Sequence, residues 1–162
     1  MQAWRFADRL LGIVVGLAKW LALPLIVVLF LQWPLRDIVR CCSREANDLG
    51  QWMFALFVAV SFTAATRSAT HLSTDVLAAR YAPRTRDLIY RIGIAAALIP
   101  WSVFIVYASR DVVINAVRGL EAFPDTFNPG YFIIKLSLWL LAACVVLQSV
   151  VAIARPLPKG ER

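Results

Sequence analysis

Histidine is almost missing from this chain: His71 is the only one in 162 residues. A haem held by two histidines, or a zinc ion held by histidines, has no ligand set to draw on. Acidic residues are also scarce, ten Asp and Glu against seventeen Lys and Arg. None falls inside the apolar core of a long hydrophobic run, which removes the usual intramembrane carrier of a proton or cation. The seven glycines build no phosphate-cradling loop, and no nucleophile elbow appears. No Gly/Ser linker, low-complexity tract or internal repeat interrupts the chain, so one domain is expected over residues 1–162. Of three cysteines, Cys41 and Cys42 are adjacent. Their α-carbons, about 3.8 Å apart across a trans peptide, are closer than a relaxed disulfide prefers, so free thiols or bridges to other chains are expected. Cys144 reads as a small packing residue.

What the chain has in abundance is apolar surface. Sixty per cent of the residues are hydrophobic and the mean hydropathy is +0.70, too apolar for a soluble domain of this size. The pattern predicts an all-α membrane protein with four transmembrane helices, at about 18–38, 49–66, 88–109 and 131–154. Residues 49–66 carry no formal charge. At 1.5 Å per residue they cover about 27 Å, close to a hydrocarbon core of ~30 Å. Before the first span, residues 3–16 read as an interfacial amphipathic helix or as the lower end of a longer span. No small-residue cleavage site and polar mature chain follow them, so cleavage of a signal peptide is not expected. Pro24 and Pro100 should kink their helices, and Pro83 suits the first turn of the third. Residues 36–48 and 110–129 read as polar loops.

Charge orients the spans. With four crossings both termini share one side, together with residues 67–91. That side holds eleven basic and four acidic residues, a net +7; the other holds six of each. Basic residues accumulate on cytoplasmic flanks, so both termini are expected in the cytoplasm. The same rule accounts for the overall +7 without invoking nucleic acid as a partner.

Few side chains stand out as chemistry. Arg67, His71 and Asp75 recur at spacings of four, so a helix continuing past the second span would carry them on one face. They read equally as an ordinary charged helix end and as a subunit or lipid contact. Lys135, a turn inside the fourth helix, either snorkels to lipid phosphate or pairs with an acid on its own side or on a partner chain. Ala55, Ala59 and Thr63, and likewise Gly93 with Ala97, are small residues four apart, the spacing at which membrane helices approach closely.

Several short motifs, in order, carry a resemblance. Asp48 and Leu49 open the second span, Arg67-x-x-x-His71-x-x-x-Asp75 closes it, and Val76 and Leu77 follow. Gln32 and Arg36 lie near the outer end of the first helix, and Asn128, Pro129, Gly130, Tyr131, Lys135 and Gln148 mark the last. Over nearly its whole length the chain resembles the small membrane (Q) subunit of tripartite ATP-independent periplasmic (TRAP) transporters. It departs from the family pattern before His71, where Ser68, Ala69 and Thr70 stand in place of a glycine pair, and at Ser61, where a glycine is usual. The resemblance implies a non-catalytic subunit of the bacterial inner membrane with no cofactor. It would pack against and stabilise a large sodium-coupled TRAP membrane subunit, and help dock a periplasmic substrate-binding protein that delivers an organic acid. Arg36, Asp48, Arg67, His71, Asp75 and Lys135 are the candidate interface or phospholipid contacts. Two other readings compete: a self-sufficient homo-oligomeric transporter, which would want an intramembrane acid, and a thiol-redox protein resting on Cys41 and Cys42.

The charge split predicts the topology directly. After substitution to cysteine, Ala122 should react with a membrane-impermeant thiol reagent on intact cells and Ser73 should not. Labelling in the reverse pattern would invert the assignment.

Overall fold

The computed structural model describes residues 3–67 and 81–154, and its long elements are all helices. Helix α1 is Ala3–Pro34, continued by a wide π turn at Leu35–Val39. Helix α2 is Ser43–Arg67, α3 is Pro83–Gly93, α4 is Ile99–Arg118 and α5 is Tyr131–Ala154. A second π turn, Ile94–Leu98, joins α3 to α4 without a break. Among the described residues four stretches are long and apolar enough to cross a membrane: Phe6–Val39, Ser43–Thr66, Arg84–Arg118 and Tyr131–Ala154. The protein is the all-α, four-span molecule that its composition predicts. Backbone β pairing is limited, among these residues, to one isolated bridge between Ala122 and Pro129.

Local chemistry explains where the helices start, stretch and stop. Pro83 opens α3 after an extended Ala82, the position where its missing N–H leaves no gap. Pro100 has no N–H for the Ala96 carbonyl four residues back, and its ring crowds that carbonyl; the π turn containing Ala96 is the local response. The N-terminal segment takes the second of its two expected forms. Residues 3–16 are the lower part of one long α1, anchored by a buried Leu11. Helix α4 overruns the loop expected at 110–129 by more than two turns. Arg110 and Asp111 point outward there, while Val113 and Ala116, three apart, are buried and keep the apolar face going. Helix α2 likewise begins at Ser43, inside the segment read as a loop over 36–48. The thiol expectation is corrected as well: Cys41 and Cys42 are joined in a disulfide. The backbone is left-handed at Arg40 and Cys42, and this tight turn between the π segment and α2 brings the two sulfurs together.

The helices are not arranged in chain order. Helix α1 packs on α2, α2 on α5, and α5 on α4, so the order across the molecule is α1, α2, α5, α4. Burial follows position. The membrane windows of the second and fourth spans are 33% and 39% buried, those of the first and third only 11% each. The inner pair therefore forms the core and the outer pair keeps most of its membrane surface open. At the core, Ala59 and Thr63 of α2 and Ala142, Val145, Ser149 and Val151 of α5 are buried. Small side chains here let the backbones come close, and dispersion contacts replace the hydrophobic effect that lipid does not supply. Phe62 of α2 also stacks on Trp101 of α4, with ring centroids 5.6 Å apart. Gly93 and Ala97, by contrast, are exposed and line no internal contact of this kind.

Enlarging a core alanine should therefore cost more than enlarging a surface one. Ala142→Leu overpacks the α5 core and should lower stability by about 1–3 kcal/mol, whereas Ala96→Leu on the exposed face should change it little. Thermal unfolding of the purified chain in detergent reads the difference; equal shifts would contradict the packing order.

Candidate functional site

The described polar chemistry concentrates at the two ends of the bundle. At the end carrying the link between α1 and α2 and the loop between α4 and α5, here the loop end, Asp48 is the central group. It sits in the second turn of α2 and is buried, 7% exposed. The Thr126 hydroxyl donates to its carboxylate, and the Asn128 amide Nδ2 reaches the same oxygen at 3.5 Å. Both partners come from the loop 119–130, so one carboxylate fastens the loop to the end of α2. A hydrogen bond of this kind contributes about 0.5–1.5 kcal/mol net, and the Thr126 contact is the stronger of the two holding this twelve-residue connection.

Backbone contacts give that loop a fixed shape. Phe123 N donates to Asn128 O at 2.9 Å, and Phe127 N donates to Phe123 O at 2.9 Å. Phe123 is buried against Tyr131 in an edge-on contact with centroids 5.4 Å apart. Gly130 adopts φ +137°, a conformation that side chains resist, and it turns the chain into α5. Between Thr126 and Asn128 stands Phe127. Its backbone is left-handed, φ 57°, and its side chain is 82% exposed. A bulky residue in that conformation persists only where its neighbours over-determine it, and the Asp48 contacts on both sides do so.

Lys135 meets an acid of its own chain. Its ammonium lies 2.5 Å from Glu121 and 5.2 Å from the Tyr131 ring centroid, with both charged side chains part-buried. It also lines an apolar groove of about 410 Å³ among α2, α4 and α5, along with Ala59, Val113 and Ser137. Of the two alternatives left open by the sequence, the geometry is that of the specific ion pair. Arg36 is not drawn into this group. It pairs with its neighbour Asp37 at 2.9 Å on an exposed surface, an arrangement of little energetic weight.

The opposite end is held by two side chains that the sequence reading passed over. Arg91 pairs with Asp87 at 2.8 Å and donates from Nη1 to the Ile153 carbonyl at 2.8 Å, in the last turn of α5. Tyr90 donates to the Thr66 carbonyl at 3.3 Å, in the last turn of α2. The start of the third span thus satisfies carbonyls that the ends of α2 and α5 leave open. Arg67 closes α2; His71 and Asp75 lie outside the described residues.

The structure therefore joins Asp48 and Lys135 to one loop and leaves Arg36 apart from it. The residues missed in sequence, Glu121, Thr126, Tyr90 and Arg91, act across separations of 14 to 78 positions. No periodicity links such pairs, and only the count of acids on the loop side hinted at Glu121. Among the described residues, the buried polar atoms Gln32 Nε2 and Gln148 Oε1 have no hydrogen-bond partner. Among the described residues no three His, Cys, Asp or Glu side chains gather as a metal site would require. What these contacts accomplish chemically is fastening: they fix a loop, close helix ends and neutralise charge.

Searches among curated proteins and among solved structures give no significant match. A family model does match, over residues 25–159, and its description is "Tripartite ATP-independent periplasmic transporters, DctQ component". That interval holds the later part of the first apolar span, the other three spans, the Asp48 loop and the Lys135 pair, and it covers more than four-fifths of the chain, so the protein belongs to the DctQ family of small permease components of TRAP transporters.

Proposed function

We propose that this permease component serves as a non-catalytic scaffold for a sodium-coupled large TRAP membrane subunit that moves organic acids. Exposure is the observation that carries the reading. The outer helices of a four-helix membrane molecule leave most of their apolar surface free, 11% of each window being buried, while the described interior offers neither a charged cavity nor a metal site. A chain built this way has surface with which to widen another membrane protein and no enclosed polar chamber, among the described residues, to carry a transported carboxylate. On this reading the protein lies in the bacterial inner membrane with both termini cytoplasmic and the loop end in the periplasm. The +7 side then meets the cytoplasmic leaflet, where anionic phospholipid is its natural contact.

The loop end then faces the compartment of the substrate-binding protein. Docking there favours a preformed surface, because a loop already ordered loses little entropy on contact. The Asp48 fastening and the outward Phe127 supply such a surface. Asp48→Asn keeps the shape but loses the charge on the acceptor. It should leave recovery of the complex with the large subunit unchanged and lower the uptake that depends on the binding protein. Loss of the membrane complex itself would show that Asp48 serves assembly instead.

At the cytoplasmic end, Arg67, His71 and Asp75 are assigned to assembly and anchoring. Arg67→Ala should reduce the large subunit recovered by affinity capture of this chain. His71→Gln, which cannot titrate near neutrality, should leave the pH profile of uptake where it is. A moved pH optimum with full recovery of the complex would reverse the assignment. The scaffold reading as a whole is tested in liposomes: carboxylate uptake should require the large subunit and the binding protein, and uptake by this chain alone would overturn it.

A further inference from the structure

Two apolar grooves run along the bundle, and each has one lysine in its wall. The first, among α2, α4 and α5, contains Lys135, whose charge is answered by Glu121. The second lies between α1 and α2 and has a volume of about 330 Å³. Val15, Ala18, Lys19 and Ala22 of α1 face Phe57, Val60, Ser61 and Ala64 of α2 across it. Both sets follow the i, i+3, i+4, i+7 spacing of a single helix face. The small residues Ala18, Ala22, Ser61 and Ala64 leave the gap open where larger side chains would have met. Lys19 is exposed, and no acid among the described residues pairs with it.

The depth of Lys19 matters. Ser61 and Ala64 place it opposite a level about one and a half helical turns inside Arg67, at the end of α2 that carries the termini of the bundle. In a bilayer an unpaired lysine at this level can reach headgroup phosphate, because its stem lies along apolar surface while its head turns to the interface. Size narrows the occupant further. The gap holds about 330 Å³ between small side chains, room for one extended hydrocarbon chain lying along α1 and α2. An apolar groove of this volume with a cation in its wall matches one amphiphile, a phospholipid.

We propose that the groove between α1 and α2 is a phospholipid site, in which an acyl chain lies against Ala18, Ala22, Ser61 and Ala64 and Lys19 holds the phosphate, with anionic headgroups preferred. This site is separate from the loop end and does not depend on which soluble partner docks there. It also gives α1, which leans mainly on α2, a second wall of contact along the groove.

The test is native mass spectrometry of the full membrane complex released from vesicles of equal phosphatidylglycerol and phosphatidylcholine. The native complex should retain phosphatidylglycerol in preference. Lys19→Gln should lower that preference about fivefold, the worth of one lysine beside an anionic headgroup, and Lys19→Arg should retain it. Ala22→Phe, which fills the groove without touching the charge, should reduce the retained lipid of both classes. Unfolding temperatures of the three variants separate a lost lipid from a lost fold. An unchanged phosphatidylglycerol preference in Lys19→Gln, or undiminished retention in Ala22→Phe, overturns the site. So does a loss of the large subunit from the Lys19→Gln complex with lipid retention intact, because the lysine would then be pairing with protein.

Discussion

Helices α2 and α5 meet through side chains small enough to bring their backbones close, and the remaining contacts hang from that pair. Thr63, Val145, Ser149 and Val151 are fully enclosed there, although lipid tails would solvate an apolar surface just as well as a neighbouring helix does. Packing density is what makes the contact favourable, so shape weighs more than hydrophobicity. The chain then attaches one further helix to each member of the pair, α1 to α2 and α4 to α5. Side chains tie the ends. Asp48 of α2 receives the loop leading into α5, and Tyr90 and Arg91 reach the last turns of α2 and α5.

Much of this was legible in the sequence because the bilayer enforces a simple rule. Every backbone polar group in hydrocarbon must be satisfied within its own segment, so an uncharged run of about twenty residues has to be a helix. The spans could be counted from that rule alone. Their ends could not, because helices extend past the hydrocarbon wherever an apolar face persists; Val113 and Ala116 carry α4 past Arg110 in this way. Asp48 and Lys135 stood out as charges at span ends. Their partners Thr126 and Glu121 did not, because a tertiary contact between a loop and a helix leaves no repeat to read. The bonded Cys41 and Cys42 were misjudged for a related reason: generic backbone spacing says nothing of a turn that is left-handed at two nearby residues.

The two lysines show how position sets the meaning of one residue type. Lys135 is neutralised within the chain, so its groove is electrically quiet; Lys19 is not, and its groove carries a charge. An open apolar surface on a membrane protein is ambiguous between lipid and protein, since both are equally oily. A charge beside it restores selectivity, because headgroups and side chains differ in where they place their anions.

The π turn at Ile94–Leu98 has an effect on how the third span is read along its length. An extra residue in one turn advances the helix surface by about 100°. The stripe that Tyr90 and Arg91 present to the ends of α2 and α5 and the stripe that Ser102 and Val113 present to the core are therefore set in separate registers along the chain. Gly93 and Ala97, four apart in sequence, straddle this shift and do not stack as a single small-residue ridge. The span is built of two helical surfaces joined end to end with separate registers, and Pro100, two residues past the π turn, marks the seam between them.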